Sequence, residues 1–138
     1  MKKYSIGADI GGSHISCAVI DLENKYMIKN SLVHVAVDNH GLTEDIIHSW
    51  KTALEMTIKF IDIKLLEGIG FAMPGHFDYT NGIGLFKGNS KYENLFGVNV
   101  GMILRKSMSL NENIEFRFMN DATAFAVAGI RSNPTARR

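Results

Sequence analysis

With 138 residues and 46% hydrophobic content, the chain suits one domain that buries about two thirds of the surface its unfolded form would expose. A charged share of 21% argues against disorder and fibrous repeats. Fifteen Lys and Arg against fourteen Asp and Glu give a net charge of +1, which offers no polyanion-binding surface and excludes nucleic acid as an expected partner.

The chain opens on Tyr4 to Asp21, YSIGADIGGSHISCAVID. Ile6, Ala8 and Ile10 precede a Gly11-Gly12-Ser13-His14 turn, and Ile15, Cys17 and Val19 follow it at nearly period two, so the stretch predicts a β-hairpin. Two glycines at the turn can take positive φ without a Cβ penalty, which would aim backbone N–H groups outward as an anion cradle suited to phosphate. Asp9 and Asp21 end the two strands, and a carboxylate beside such a cradle is tolerable mainly with a cation between them, for which magnesium would serve. By itself the turn reads more readily as an ordinary Gly-Gly hairpin connection. Cys17 is the one cysteine; inside a strand it is a buried small hydrophobe, in keeping with a reducing compartment.

Lys25 to Val37 predicts a third strand. From Leu42 to Ile61 the period becomes helical, with Leu42, Ile46, Ile47, Trp50, Leu54, Ile58 and Ile61 on one face and acidic residues in the first turn. Gly68 to Met73 reads as a buried strand stopped at Pro74-Gly75, and its position after a helix implies a parallel crossover. His76 to Gly97 is a long loop rich in Gly, Asn and aromatics, broken by a short extended piece at Ile83 to Phe86; loops of this length are more often functional than idle. Val98 to Met108 predicts a second helix ended by Asn111 and Asn113, with Val100, Ile103, Leu104 and Met108 inward. A brief strand, Glu115 to Met119, then runs into Asn120-Asp121 and a small-residue helix, ATAFAVAG, before a frayed tail at 131–138. No apolar run of signal-peptide or membrane length occurs, so a cytoplasmic protein with no membrane partner is expected.

Asn120-Asp121 stands where a strand gives way to a helix N-terminus, a place where ligands gather in α/β sheets. Asn both donates and accepts, which suits sugar hydroxyls, while an ionised Asp can take a proton. The pair taken alone also reads as an N-cap. Five histidines show no metal-ligand spacing, and neither GxGxxG before a helix nor GxxxxGK[ST] is present.

The ordered set of DIGGS at 9–13, GxxxPG from Gly70 to Gly75, the turn from Asp78 to Gly82, Asn89 and NDA at 120–122 resembles the N-terminal half of a ROK-family bacterial sugar kinase, within the sugar-kinase, actin and heat-shock ATPase superfamily. Ser13 stands where that family usually has Thr, His14 where it often has Lys, Phe96 near a common Trp and Gly129 near a frequent Glu. The resemblance implies an α/β, ribonuclease H-like lobe over residues 1–130, its mixed sheet opening with three antiparallel strands and helices on its faces; the family's second lobe has no counterpart in this sequence. It implies Asp121 as the general base accepting the proton of a sugar hydroxyl, with Asn120, Asn89 and Gly82 as sugar contacts. Gly11, Gly12 and Ser13 would hold ATP phosphates, and Asp9 would orient Mg2+ through water. The expected activity is ATP-dependent phosphorylation of a hexose or N-acetylhexosamine, with little turnover from this chain alone because the missing C-terminal lobe carries the adenosine pocket. The alternatives are a non-catalytic sugar-sensing module, whose DNA-binding version is disfavoured because the first strand starts near residue 4, and a structural α/β domain. Oligomeric state stays open, a homodimer included.

Overall fold

The computed structural model describes residues 1–88 and 91–120, so Asn89, Asp121, the predicted helix after it and the tail at 131–138 lie outside the described residues. Chain order is β1 (Tyr4–Ile10), β2 (His14–Asp21), β3 (Tyr26–Met27), β4 (Val33–Ala36), α1 (Thr43–Ile58), β5 (Leu66–Met73), β6 (Phe77–Asp78), β7 (Ile83–Gly84), α2 (Val100–Met108) and β8 (Glu115–Asn120). The main sheet is mixed. β2 pairs antiparallel with β1, whereas β5 pairs parallel with β1 and β8 parallel with β5.

The expected third strand is two pieces, β3 and β4, each antiparallel to β2. Ser31 explains the break. It is fully buried, its hydroxyl accepts the Val19 N–H at 3.0 Å and donates to the Ile28 carbonyl at 2.7 Å, and Asn30 beside it adopts φ 71°. A side chain thus takes the place of a ladder bond at that point, and the strand bulges around it.

Alternation along the strands sorts the sheet into two unlike faces. Ile6, Ala8 and Ile10 of β1, Ile15, Cys17 and Val19 of β2, and Ile69, Phe71 and Met73 of β5 join the core, together with Trp50 and Leu54 of α1 and Val100 and Leu104 of α2. Gly7, Asp9, Ser16, Gly70 and Ala72 alternate with them and stay outside that core. Both described helices therefore pack on one face, and the third expected helix, after Asp121, lies outside the described residues.

The first helix begins at Thr43 and not at Leu42, which is exposed and stands at the N-cap without a side-chain cap bond; Ile46, Ile47, Trp50, Ala53, Leu54 and Thr57 form its buried face. The second starts at Val100, where the Asn99 carboxamide oxygen accepts the Met102 N–H at 3.0 Å, and stops at Ser109 in the left-handed region. Ile103 is partly exposed rather than inward. Cys17 is buried as expected, and burial pushes its thiol up to about 12.

The long 76–97 loop is pinned by its own aromatics. Phe118 of β8 touches Phe77 (5.3 Å between centroids), Phe77 touches Phe86 (6.0 Å), Phe86 touches Tyr92 (5.7 Å), and Tyr92 touches Trp50 of α1 (5.6 Å). Each such buried ring contributes on the order of 3–5 kcal/mol against truncation to Ala. The loop is consequently held against both the sheet and α1, and what it carries is positioned. Among the described residues no helix is long and apolar enough to cross a membrane.

Candidate phosphate turn and the strand ends beside it

The hairpin turn between β1 and β2 is tied down through its carbonyls. The Tyr92 hydroxyl donates to the Gly11 carbonyl, the Asn39 side-chain amide donates to the Gly12 carbonyl, and the Val37 N–H donates to the Ser13 carbonyl at 2.9 Å. The Tyr92 N–H in turn donates to the Asn39 carbonyl at 2.9 Å, which closes a circuit between the turn, the segment after β4 and the long loop. A trans peptide sets its N–H opposite its C=O. With the Gly11 and Gly12 carbonyls drawn toward Tyr92 and Asn39, the N–H groups of Gly12 and Ser13 face the other way, and neither meets an acceptor among the described residues. Free adjacent amides of this kind suit an anion.

The glycines do not work through positive φ, as the sequence suggested. The described glycines with positive φ are Gly82, Gly88 and Gly97, and Gly11 and Gly12 are not among them. They permit close approach instead. A Cβ on Gly11 would stand 3.1 Å from the His14 carbonyl oxygen, and one on Gly12 would stand 3.1 Å from the Lys91 ammonium nitrogen.

Of the two strand-end aspartates only Asp9 is near the turn. It is exposed, on the face away from the core, level with Ser16 of β2 and Ala72 of β5. Asp21 pairs with Tyr4 at the other end of the hairpin, about 20 Å of strand away. Its carboxylate accepts from the Glu23 and Asn24 N–H groups at 2.8 and 3.0 Å, and the Asn24 amide foremost holds its carboxyl below the usual range. Asp21 is a turn residue and no partner for a bound cation at the cradle.

The parallel ladders bring the second candidate to the same edge of the sheet. Asp9 is level with Ala72, and Ala72 with Met119; one residue on, Ile10, Met73 and Asn120 finish their strands together, and Asn120 stands two strands, about 10 Å, from the start of the turn. The Asn120 side-chain amide donates to the Tyr79 hydroxyl at 3.3 Å, which itself donates to the Met73 carbonyl at 3.0 Å. Asp121 follows in sequence, outside the described residues.

Gly82 has a different part. Its N–H donates to the Asp78 carbonyl and its carbonyl accepts the Val100 N–H, both at 2.8 Å. With φ 73° and a Phe118 ring carbon 2.9 Å from where a Cβ would stand, it shapes the loop. Asp78 serves the same turn through its carboxylate, which accepts from the Asn81 side chain at 2.9 Å; that bond foremost holds its carboxyl below the usual range.

Sequence reasoning overlooked Lys91, Tyr92 and Asn39. All three lie in irregular segments with no periodic signal; the one hint was the length and aromatic content of the loop. His14 and His34 also escaped notice as a pair. Their rings meet edge to face at 6.0 Å, and His34 Nδ1 hydrogen-bonds the Ser16 hydroxyl at 2.7 Å. Among the described residues no group of three His, Cys, Asp or Glu is placed to hold a metal ion.

Comparison with solved structures places the fold. A ROK family glucokinase from Streptomyces griseus, solved with glucose and AMPPNP, is similar over 93% of this chain and 36% of its own, with TM-score 0.72 and 23% identity. A ROK hexokinase from Thermus thermophilus is similar over 91% and 38%, with TM-score 0.71 and 23% identity. An inorganic polyphosphate/ATP-glucomannokinase from Arthrobacter sp. strain KM is similar over 94% and 49%, with TM-score 0.71 and 18% identity. The chain thus has the fold of part of these kinases and spans between about a third and a half of their length. No protein-family model matches the sequence, and no curated protein does.

Proposed function

We propose that this chain is the sugar-facing, phosphate-facing lobe of a ROK-type carbohydrate kinase, ribonuclease H-like in class, which transfers the terminal phosphoryl group of ATP to a hydroxyl of a hexose or N-acetylhexosamine. The observation that carries the reading is the turn at Gly11–Ser13. Its carbonyls are bound away from two free amides, at the same edge of the sheet where β8 delivers Asn120. The shared fold with sugar kinases supports it.

In this reading Asp121 accepts the proton of the attacking hydroxyl, and Asn120 and Asn89 hold neighbouring hydroxyls. Gly82 is a further sugar contact at the turn it shapes. Gly11, Gly12 and Ser13 take the phosphates, the first by leaving room and the other two through their N–H groups, with the Ser13 hydroxyl as a further donor. Asp9 fits a hydrated magnesium ion better than a stripped one, because it is a single exposed carboxylate; Mg2+ there would neutralise phosphate charge. Phosphoryl transfer asks mainly for positioning and charge neutralisation, so an ordinary carboxylate is an adequate proton acceptor.

The test is a panel of glucose, mannose, fructose and N-acetylmannosamine with Mg-ATP, read by calorimetry and by phosphate transfer. Binding of at least one sugar with little or no turnover is expected of the chain alone, and Asp121→Asn should remove any residual transfer while leaving sugar affinity unchanged. Rapid phosphorylation by residues 1–138 would contradict the half-site reading, and wild-type transfer by the Asp121 variant would refute its role. A second reading, a sugar sensor without catalysis, is favoured by the similar fold of a ROK family transcriptional regulator, at TM-score 0.64 and 17% identity; sugar affinity that never depends on Mg-ATP would select it. A cytoplasmic location and a homodimer belong to the same proposal.

A further inference from the structure

We propose that Lys91 is the cation of the phosphate turn, delivered from the long loop and laid across Gly12 so that its ammonium meets an anion held by the Gly12 and Ser13 amides. The inference rests on the phosphate reading of that turn. Lys91 Nζ, Cε and Cδ lie 3.1, 3.5 and 3.7 Å from the point where a Cβ of Gly12 would stand. The whole end of the side chain therefore lies flat on the one residue of the turn with no side chain of its own and a free N–H. A Cβ at position 12 would push the ammonium back by a few tenths of an ångström.

Among the described residues nothing else engages that charge. Lys91 is exposed, and among the described residues no carboxylate is within ion-pair distance of it. A lysine without a partner ordinarily extends into water, since holding its long stem in one place costs side-chain entropy. What fixes Lys91 is its neighbour. Tyr92 is fully buried in the left-handed region at φ 57°, and it is bonded at its N–H to Asn39 and at its hydroxyl to Gly11. Consecutive residues thus dock on consecutive turn residues, Tyr92 on Gly11 and Lys91 on Gly12.

The chemistry needs such a group. The turn's other basic neighbours are imidazoles, with the His14 ring 3.7 Å from the Cβ position of Gly11 and His34 against it. Two amides alone bind a multiply charged phosphate weakly in water, whereas an ammonium adds charge-assisted donors. The ligand class is a phosphoanhydride tail, as in a nucleoside triphosphate or an inorganic polyphosphate.

The test titrates the full chain with inorganic tripolyphosphate and follows the amide resonances of Gly12 and Ser13. In the wild type those two resonances should shift. Lys91→Ala should weaken the affinity about tenfold with the rest of the spectrum unchanged, Lys91→Arg should retain it, and adding His14→Lys to Lys91→Ala should recover most of the loss by returning a fixed charge from the other side of the turn. If the wild type shifts Gly12 and Ser13 but Lys91→Ala binds equally well, the role of Lys91 is overturned and the phosphate turn stands. If tripolyphosphate leaves the Gly12 and Ser13 resonances of the wild type unmoved, both fall.

Discussion

The Tyr92 hydroxyl donates its hydrogen bond to the carbonyl of Gly11, eighty-one positions earlier in the chain. A residue of the long loop thereby sets which way the first peptide of the hairpin turn faces. Tyr92→Phe keeps the ring contacts with Trp50 and Phe86 and removes the hydroxyl that makes this bond. It should destabilise the fold by about 1–2 kcal/mol, read by urea unfolding, and speed amide exchange at Gly12 and Ser13. Unchanged exchange there would mean that the turn holds its orientation without the phenol.

Gly82 and Gly88 separate two reasons for being glycine. Both have positive φ, at 73° and 76°, yet a Cβ on Gly82 would strike Phe118 at 2.9 Å while one on Gly88 would meet nothing within 4 Å. Gly88→Ala should cost about 1 kcal/mol, the backbone share alone. Gly82→Ala should cost about 1–3 kcal/mol more, because the ring of Phe118 must move within a packed cluster. Equal losses in thermal unfolding would show that Phe118 yields freely.

Ser31 replaces a strand bond, and its removal should be felt accordingly. Ser31→Ala leaves the Val19 N–H without its acceptor in a buried site, with an expected loss of about 1–3 kcal/mol. Denaturant unfolding within 0.5 kcal/mol of the wild type, about the noise of a surface substitution, would mean that another acceptor takes over.

How much of this could be read from the residues depends on the range of the interaction. The hairpin, the inward rows of β1, β2 and β5, and the Ile46–Leu54 stripe of α1 follow from period two and period 3.6, which are local properties. The broken third strand was hidden because apolar residues resume at Leu32 beyond Lys29-Asn30-Ser31, and no local pattern says that Ser31 is buried in place of a ladder bond. At the site, the DIGGS turn was legible as a glycine-bearing hairpin, but the reason for its glycines was not. Positive φ is a local inference; the approach of Lys91 to Gly12 is a tertiary contact that no spacing encodes. Asp21 was drawn to the turn by the symmetry of two strands each ending in Asp, although an antiparallel pair puts the ends of its two strands at opposite ends of the ladder.

Alkaline stability should report Cys17. Its thiol moves from 9.0 to about 12 on folding because burial disfavours the thiolate, so between those values the unfolded chain has lost a proton that the folded chain keeps, and stability falls as pH rises from 9 toward 12. From pH 9 to 10 this amounts to about 1 kcal/mol. Cys17→Ala, destabilised at every pH by its cavity, should show a flatter curve over that interval. Tyr92, raised from 10.0 to about 12 by burial, steepens both curves equally above pH 10. Parallel curves for the two proteins between pH 9 and 10 would contradict the thiol's part.

The central claim is that the turn at Gly12–Ser13 and the end of β8 at Asn120 border one nucleotide and sugar site. Manganese(II) in place of magnesium, added with ATP, broadens amide resonances near the bound metal. The account predicts that Gly12, Ser13 and Asn120 broaden together while Tyr26 and Glu67, at the other end of the sheet, stay sharp; broadening at Asn120 without the turn, or at neither, would contradict it.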